Sequence, residues 1–247
     1  MAELDPMDRV VIVTGASKGK CHVVAIARSE KLLQDLEQSY HETGRLITLR
    51  GDVADPKFCG QIADETMSRW GRVDGLIVNH GVLAPVKRIS ESFVAEWKEI
   101  FDINVFGTLA LIKACLPFLK HNQGRIILCS SGASVNAYAS WGAYGASKAV
   151  LNHLALTLAV EEPEITTIAI RPGVVDTDMQ KEIRESHHDK MDEKDTKKFA
   201  DLHRTGGLLE PEQPGHVMAK LALDGPKDLN GKLLNWNDVE LDALQGH

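Results

Sequence analysis

Short apolar runs alternate with longer stretches of helical periodicity along most of this chain, and that alternation constrains the fold more than any other feature. Runs with strand character lie at residues 9–13, 22–27, 45–49, 75–78, 125–129, 166–170 and 232–235. Helical spacing of apolar residues marks residues 30–40, 57–70, 91–119, 141–161 and 213–223. Because strands that alternate with helices pair in parallel and carry helices on both faces, we expect an α/β fold with a doubly wound parallel sheet of about seven strands.

The same pattern predicts the domain organisation. The chain has 247 residues, which suits one domain, and we expect a single domain over residues 1–247. Residues 176–208 are polar, carry no strand pattern and interrupt the alternation, which predicts a mobile lid or substrate loop. Within the stretch 91–119, Pro117 is expected to interrupt the helix near its end.

Composition and charge exclude several classes of protein. The net charge of −7 argues against a nucleic-acid partner, because such proteins usually present a basic face. No apolar run approaches the ~18 residues of a membrane span, and the acidic N-terminus lacks the layout of a signal peptide, so we expect a cytoplasmic protein with no membrane partner. The four cysteines include no C-x-x-C pair and no zinc spacing, which predicts free thiols and no metal site.

The segment YGASK places Tyr144 and Lys148 one helical turn apart, on the same face of the stretch 141–161. A phenol with a pKa of about 10 is a poor acid or base at neutral pH, and a nearby ammonium lowers that pKa. We therefore expect this pair to exchange a proton with a carbonyl or alcohol oxygen. A partly exposed tyrosine and a solvated lysine would show the same spacing, so the pair needs support from other residues.

Ser131 provides that support at the end of the fifth strand run. Ligands of open parallel sheets bind outside the carboxyl ends of the strands, and a hydroxyl there can hold a substrate oxygen beside Tyr144. The alternative is that Ser130 and Ser131 only cap a loop.

With Ser131, Tyr144 and Lys148 at this spacing, the chain resembles the short-chain dehydrogenase/reductase family over most of its length. Further motifs follow the strands in the family's order. They are the glycine-rich turn TGASKG at 14–19, Asp52 and Val53 after the third strand, NHG at 79–81 where the family has NAG, Asn104 in a helix, and PGVVDT at 172–177. EPEQPG at 210–215 and NWND at 235–238 resemble small NADP-dependent members related to benzil and sepiapterin reductases.

The resemblance implies an oxidoreductase that transfers a hydride between NADP(H) and a small carbonyl or alcohol substrate. In that scheme Tyr144 is the general acid in reduction and the general base in oxidation, and Lys148 lowers its pKa and binds the nicotinamide ribose. Ser131 positions the substrate oxygen, and Asn104 holds a proton-relay water unless it is an asparagine bonded inside the helix layer. The implied cofactor-binding residues are Gly15, Ser17, Lys18, Gly19, Arg28, Asp52, Val53, Asn79, Gly81, Tyr144, Lys148, Pro172, Gly173, Val175 and Thr177.

The residues after the second strand favour NADP over NAD. An NAD site places Asp or Glu there to bind the ribose 2′-hydroxyl, whereas this chain has Arg28. The planar fork of arginine suits a 2′-phosphate, and Lys18 in the glycine-rich turn adds a second positive charge. If Arg28 is only a solvated residue at a helix start, the preference stays open.

The first crossover departs from the family pattern. The family runs from the glycine-rich turn into a helix before the second strand, but here about nine residues, from Thr14 to His22, join the two strand runs. A crossover with its helix needs at least ~10–12 residues. Without the helix, one sheet face would lose apolar cover worth about 6–12 kcal/mol, and the pyrophosphate would lose a helix N-terminus. We expect weak cofactor binding or poor folding, most simply because a segment of roughly a dozen residues is missing from the sequence.

Several alternatives stay open on the sequence alone. A catalytically silent Rossmann-type binding or regulatory protein is the alternative function, and an epimerase or dehydratase would share Tyr144 and Lys148. Tyr138 and Trp141 either line a substrate pocket or pack in the core, and His80 is expected to be a packed loop residue rather than a catalyst. By analogy with the family, a homodimer or homotetramer is expected to form through the helices at 91–119 and 141–161.

Overall fold

The computed structural model describes residues 8–14, 21–40, 44–187 and 189–245. Its strands are β1 Val10–Thr14, β2 His22–Ala27, β3 Leu46–Arg50, β4 Gly75–Val78, β5 Arg125–Cys129, β6 Thr166–Arg171 and β7 Leu233–Asn235. They form one sheet of 7 strands in the order β3-β2-β1-β4-β5-β6-β7, and every neighbouring pair is parallel. The order reverses between β1 and β4, which confirms the predicted doubly wound sheet and places the switch point beside β1.

The helices are α1 Glu30–Tyr40, α2 Pro56–Trp70, α3 Val94–Phe101, α4 Thr108–His121, α5 Gly142–Glu161, α6 Asp178–Ser186, α7 Glu193–Arg204 and α8 Glu212–Asp224. Local residues explain several of their ends. The Asp55 side chain accepts the Lys57 N–H at the start of α2, with Pro56 at its first position. The same helix ends at Gly71, whose φ of 69° is a left-handed cap that glycine adopts without strain.

Alternate residues of the strands face two separate cores. On one face Ile12, Val24 and Ile126 pack in a buried cluster that includes residues of α2, α4 and α5. On the other face, Val11 and Ile127 join a cluster that includes residues of α8. This two-sided burial is why the strands are nearly continuous apolar runs and why the sequence reveals them so clearly.

The predicted helix over 91–119 is three helical segments in the structure. A π-helical turn, Asp102–Gly107, separates α3 from α4. The helix also continues through Pro117 to His121, so the predicted interruption is wrong. Proline removes a single hydrogen bond of the ladder, and Cys115 and Leu119 on either side of it are fully buried.

The continuous helical stretch Val94–His121 spans 28 residues and is long and apolar enough, by length and composition, to cross a membrane. Charged and polar residues interrupt its apolar runs, so no single run in the sequence reveals it. In the structure Leu111 and Ile112 of this stretch are at most 1 % exposed and pack in the cluster beneath the sheet. That packing is the environment of a core helix in an α/β fold.

The segment 176–208 contains regular structure that the sequence did not predict. Most of it forms α6 and α7 rather than an open loop. Each helix buries few side chains, namely Gln180 and Ile183 in α6 and Phe199 in α7. Both helices are amphipathic with a narrow apolar face, so their periodicity was a signal in the sequence, but the polar composition of the segment led to its interpretation as a loop.

The short first crossover leaves a smaller packing deficit than the sequence suggested. β1 ends at Thr14 and β2 begins at His22, and residues 15–20 between them lie outside the described part of the chain. On the face expected to lose its cover, Val11, Val13 and Val23 are only 2, 8 and 8 % exposed. The expectation that this face lies open is therefore wrong for the described strands, whereas the expected effect on cofactor binding stays a prediction.

Candidate active site

The candidate catalytic residues meet where α5 starts against the carboxyl end of β5. Ser131 lies just after β5 and begins the short 3-10 turn Gly132–Ser134, and Tyr144 and Lys148 lie in the first two turns of α5. The helix can approach this closely because residue 145 is glycine. A Cβ at Gly145 would lie 2.7 Å from the carbonyl oxygen of Ala133.

Tyr144 is held in a dry environment beside Ser131. It is 7 % exposed, and the Ser131 side chain is close enough to affect the pKa of its phenol. Burial raises the pKa of Tyr144 to about 12, and the hydrogen bond from Ser131 acts in the opposite direction. The phenol is therefore protonated at neutral pH, which is the form that donates a proton. Ser131 Oγ also accepts the Ala133 N–H at 3.2 Å, so the serine caps its turn in addition to contacting Tyr144.

The predicted lowering of the Tyr144 pKa by Lys148 stays a prediction, and in this structure the ammonium contacts the end of β5. Lys148 is not among the groups that shift the pKa of Tyr144. Its Nζ donates to the carbonyl oxygen of Cys129 at 2.7 Å, and burial lowers the pKa of the lysine itself. The spacing of the two residues was correctly interpreted as one helix face, but the ammonium points to the end of β5.

Asn104 lies in the π-helical turn and is 1 % exposed. Its Oδ1 accepts the Val82 N–H at 2.9 Å, and its Nδ2 donates to the Val82 carbonyl at 3.0 Å and to Ser147 Oγ at 3.0 Å. The side chain thus joins the loop after β4 to α5, as the sequence alternative of a bonded asparagine requires. A role for Asn104 in holding a relay water stays a prediction.

His80 connects the switch point with the π-helical turn. Its Nδ1 lies 3.0 Å from Thr14 Oγ1 at the end of β1, and its Nε2 lies 3.2 Å from the Ile103 carbonyl oxygen. Burial, followed by the charge of Lys148, lowers the pKa of His80 to about 4, so the ring is neutral at pH 7. These contacts agree with the prediction that His80 is a packed loop residue rather than a catalyst. Thr14, which also accepts the backbone N–H of Asn79, was missed by the sequence analysis.

The predicted nicotinamide side of the site surrounds Lys148. A Cβ at Gly81 would lie 3.2 Å from Lys148 Nζ and 3.4 Å from Asn104 Oδ1, so glycine keeps space open above the ammonium. Among the described residues, Nζ has one hydrogen-bond partner, the Cys129 carbonyl, although an ammonium carries three donors. A buried ammonium with spare donors suits ligand hydroxyls, and the nicotinamide ribose supplies such groups.

The loop after β6 carries the remaining predicted nicotinamide contacts. Pro172 and Gly173 follow the strand directly, and Gly173 has a φ of 82°, a conformation that favours glycine. Val175 forms an isolated bridge with Leu209, and Thr177 begins α6 by accepting the Gln180 N–H. The loop is thus fixed at both of its ends.

The predicted adenosine side lies at the ends of β2 and β3. Arg28 and Asp52 are exposed there, and Val53 is buried. Asp52 accepts the Ala54 N–H at 2.9 Å. Arg50, which the sequence analysis missed, is the register partner of Ala27 and forms an ion pair of 2.5 Å with Glu30. Its position at the end of a strand beside Arg28 was the available signal.

The predicted phosphate contacts Gly15, Ser17, Lys18 and Gly19 lie outside the described residues. Within the described ranges, no three His, Cys, Asp or Glu side chains converge in a metal-binding group. The four cysteines are free and buried.

An aromatic cluster of three residues packs beside Tyr144. The Trp141 ring meets Tyr144 edge-on at 5.9 Å and stacks on Phe199 of α7 at 5.6 Å. Tyr138 contacts Trp141 at 5.1 Å and Phe199 at 6.0 Å. Tyr138 and Trp141 therefore pack with the segment 176–208, next to the candidate acid.

The chain is similar to known proteins in sequence and in fold. The model of the short chain dehydrogenase family matches residues 9–188. The chain belongs to the short-chain dehydrogenase/reductase family. Its members are oxidoreductases that use nicotinamide cofactors and small-molecule substrates, and that typically form oligomers.

Close relatives come from yeast. The chain is 39% identical over 264 aligned residues to the benzil reductase ((S)-benzoin forming) IRC24 of Saccharomyces cerevisiae. The alignment covers 97% of this chain and 100% of the relative. The crystal structure of the short chain dehydrogenase/reductase YIR035C from the same yeast superimposes with a TM-score of 0.93 at 37% identity, covering 96% of this chain and 100% of that chain. The KRED1-Pglu enzyme gives a TM-score of 0.87 at 41% identity, with 91% and 99% covered.

Proposed function

We propose that this chain is an NADP(H)-dependent reductase of small ketones, diketones or aldehydes. The observation that carries the proposal is the buried, protonated phenol of Tyr144, which lies beside Ser131 at the carboxyl end of β5. The residues match the family's catalytic set, and they are neighbours in space as well as in the family's order.

In reduction, Tyr144 donates its proton to the substrate carbonyl oxygen, and Ser131 Oγ hydrogen-bonds the same oxygen. A bound nicotinamide cofactor supplies the hydride. Lys148 binds ribose hydroxyls with the donors that Cys129 does not use. In alcohol oxidation the proton moves the other way, from the alcohol to the Tyr144 phenolate.

The choice of NADP rests on Arg28. It is exposed at the end of β2, directly after Ala27, whose register partner is Arg50. The exposed guanidinium of Arg28 suits a 2′-phosphate, whereas Arg50 at the same corner is ion-paired with Glu30. No acidic residue directly follows β2 in this chain, which is where an NAD site places one.

The benzil reductase activity of the yeast relative supports a carbonyl substrate that carries aromatic groups. In this chain Trp141, Tyr138 and Phe199 form an aromatic surface next to Tyr144, and Phe199 belongs to α7. We propose that α6 and α7, within residues 176–208, act as the lid over this substrate side.

Exposed apolar side chains support a proposal on how copies of the chain associate. Apolar side chains are exposed on the π-helical turn and on α4 and α5, among them Phe106, Leu109, Leu156 and Val160. We propose that these surfaces join copies of the chain in a homodimer or homotetramer of a cytoplasmic enzyme.

The direct test is NADPH oxidation by the purified protein with a panel of carbonyl compounds that includes benzil. We expect Tyr144→Phe to lower kcat by about 10²–10⁴-fold, because the variant lacks the proton donor. Tyr138→Phe is the matched control, since it removes a phenol from the same cluster and is expected to retain turnover. Undiminished activity in Tyr144→Phe would contradict the assigned role.

A second candidate function is a catalytically silent or impaired Rossmann-type protein. The observation that favours it is the short link between β1, which ends at Thr14, and β2, which begins at His22. The alignment with the yeast benzil reductase, at 264 positions, is longer than the chain, so that relative carries residues with no counterpart here. Tight NADPH binding and a cooperative melt of the unmodified protein would exclude this candidate.

A further inference from the structure

The catalytic face of α5 extends one turn beyond Lys148. Tyr144, Lys148 and Asn152 follow one another at four-residue spacing, which places them on one face of the helix. Each contacts a different one of three successive residues at the end of β5. The Tyr144 phenol lies beside the Ser131 side chain, Lys148 Nζ donates to the Cys129 carbonyl at 2.7 Å, and Asn152 Oδ1 accepts from Ser130 Oγ at 2.5 Å.

The hydrogen bonds around Asn152 have a single consistent direction. Ser130 Oγ donates to Asn152 Oδ1 at 2.5 Å, and Asn152 Nδ2 donates to Ser134 Oγ at 2.9 Å. Ser134 Oγ in turn donates to the Ser131 carbonyl oxygen at 2.6 Å. Each hydroxyl has one proton, and this chain of bonds uses every one of them once.

Only an amide of this length fits both ends of the network. The Oδ1 atom accepts from Ser130 before the 3-10 turn, and the Nδ2 atom donates to Ser134 at its end. An aspartate would keep the acceptor and lose the donor, and an alanine would lose both. The turn that carries Ser131 is therefore fixed to α5 on both of its sides.

We propose that Asn152 is a positioning residue that keeps Ser131 Oγ against the Tyr144 hydroxyl. The proposal rests on the proposed function of Ser131 and Tyr144. Asn152 acts only through Ser130, Ser134 and the turn between them. It extends the functional face of α5 by one turn.

Kinetics of the folded variants test this role. In Asn152→Ala we expect kcat for carbonyl reduction to fall about tenfold, because small displacements of catalytic groups are costly, while KM for NADPH changes less than about twofold. Asn152→Asp keeps the bond from Ser130 and is expected to show a smaller loss, of about threefold. An unchanged kcat in both variants would overturn the proposal.

Asn122 provides a matched control at the opposite end of the sheet. Its Nδ2 donates to the Val73 carbonyl at 2.9 Å, just before β4 begins. Asn122→Ala removes an asparagine side chain with a backbone partner, and it is expected to lower the melting temperature without lowering kcat. An equal loss of kcat in Asn122→Ala would show that Asn152→Ala acts through general destabilisation.

A spectroscopic measurement tests the contact without turnover. The chain has three tyrosines, so 3-fluorotyrosine labelling gives a simple ¹⁹F spectrum, and Tyr144→Phe assigns one resonance. Ser131→Ala removes the hydrogen bond to Tyr144 and shifts that resonance. Asn152→Ala is expected to shift it in the same direction and Asn122→Ala to leave it in place. An unmoved Tyr144 resonance in Asn152→Ala would overturn the proposal.

The Ser131 variants separate the two possible failures. If Ser131→Ala retains full activity, the proposed function fails. If Ser131→Ala is impaired and Asn152→Ala is not, only the positioning role fails. If both act through the same contact, the double variant is no slower than Ser131→Ala alone.

Discussion

The candidate functional residues lie at the carboxyl ends of the strands, and the two halves of this edge of the sheet differ in how deeply those residues are buried. On the β4–β6 side, Asn104, Tyr144 and Lys148 are at most 7 % exposed and bonded to neighbouring loops and strands. On the β2–β3 side, Arg28 and Asp52 are exposed. The candidate proton-transfer residues are therefore packed in the core, and their positions do not depend on the first crossover. The shortened link between β1 and β2 therefore bears on cofactor binding rather than on the proton-transfer residues.

The largest expected effect concerns His80, which joins the two halves through Thr14 and Ile103. The pKa of His80 is lowered from 6.5 to about 4 in the folded protein. Between these two pH values the histidine is protonated in the unfolded chain and neutral in the folded protein. Stability is therefore fully present above pH 6.5 and falls as the pH drops toward 4, by about 3 kcal/mol. Chemical denaturation at several pH values measures this loss.

His80→Gln removes the titrating group and is expected to flatten this part of the stability profile. His153→Gln makes the same change at an exposed position of α5 and is expected to leave the slope as it is. Equal slopes in the wild-type protein and His80→Gln would show that the histidine does not link the halves in the way the contacts indicate.

The next effect separates the two directions of the reaction. Oxidation needs the Tyr144 phenolate, and the pKa of Tyr144 is raised to about 12. We therefore expect kcat/KM for alcohol oxidation to rise about tenfold per pH unit between pH 6 and 9, and that for carbonyl reduction to stay level. A plateau of the oxidation profile below pH 8 would contradict the burial of the phenol.

The smallest effect tests the exposed half. Arg28→Ala is expected to lower kcat/KM for NADPH about tenfold, since it removes a charged hydrogen-bond donor from the 2′-phosphate, and to leave NADH unaffected. Arg50→Ala is the control, because its guanidinium is already paired with Glu30. Equal losses with NADPH and NADH would show that Arg28 does not distinguish the two cofactors.

The sequence predicts the architecture closely, because the strands are buried on both faces. β2, β4 and β5 have the predicted bounds, and the other strands differ by one residue at their ends. The catalytic residues were found from their order along the chain, and Ser131, Tyr144 and Lys148 do lie at the predicted strand end. The burial of the strands and the order of the motifs can both be read from the linear amino-acid sequence.

The remaining features depend on contacts that no local pattern encodes. The π-helical turn Asp102–Gly107 is continuous with the helices on either side of it, and α6 and α7 are amphipathic helices whose mostly polar composition is typical of a loop. The direction of Lys148 toward Cys129 is set by the end of β5 rather than by its spacing from Tyr144. Asn152 is one further turn along α5, so its spacing was a signal that could have been used.

The comparison between the halves is tested most directly by restoring the crossover. A helical segment of about twelve residues inserted after Gly19, with a Gly/Ser-rich insert of equal length as control, changes only the cofactor half. In steady-state kinetics, the helical insert alone should lower KM for NADPH about a hundredfold, because amides at a helix N-terminus bind the pyrophosphate. The kcat value should stay within about threefold of that of the unmodified chain. A KM for NADPH that is already micromolar in the unmodified chain, or a kcat that appears only after insertion, would contradict the account.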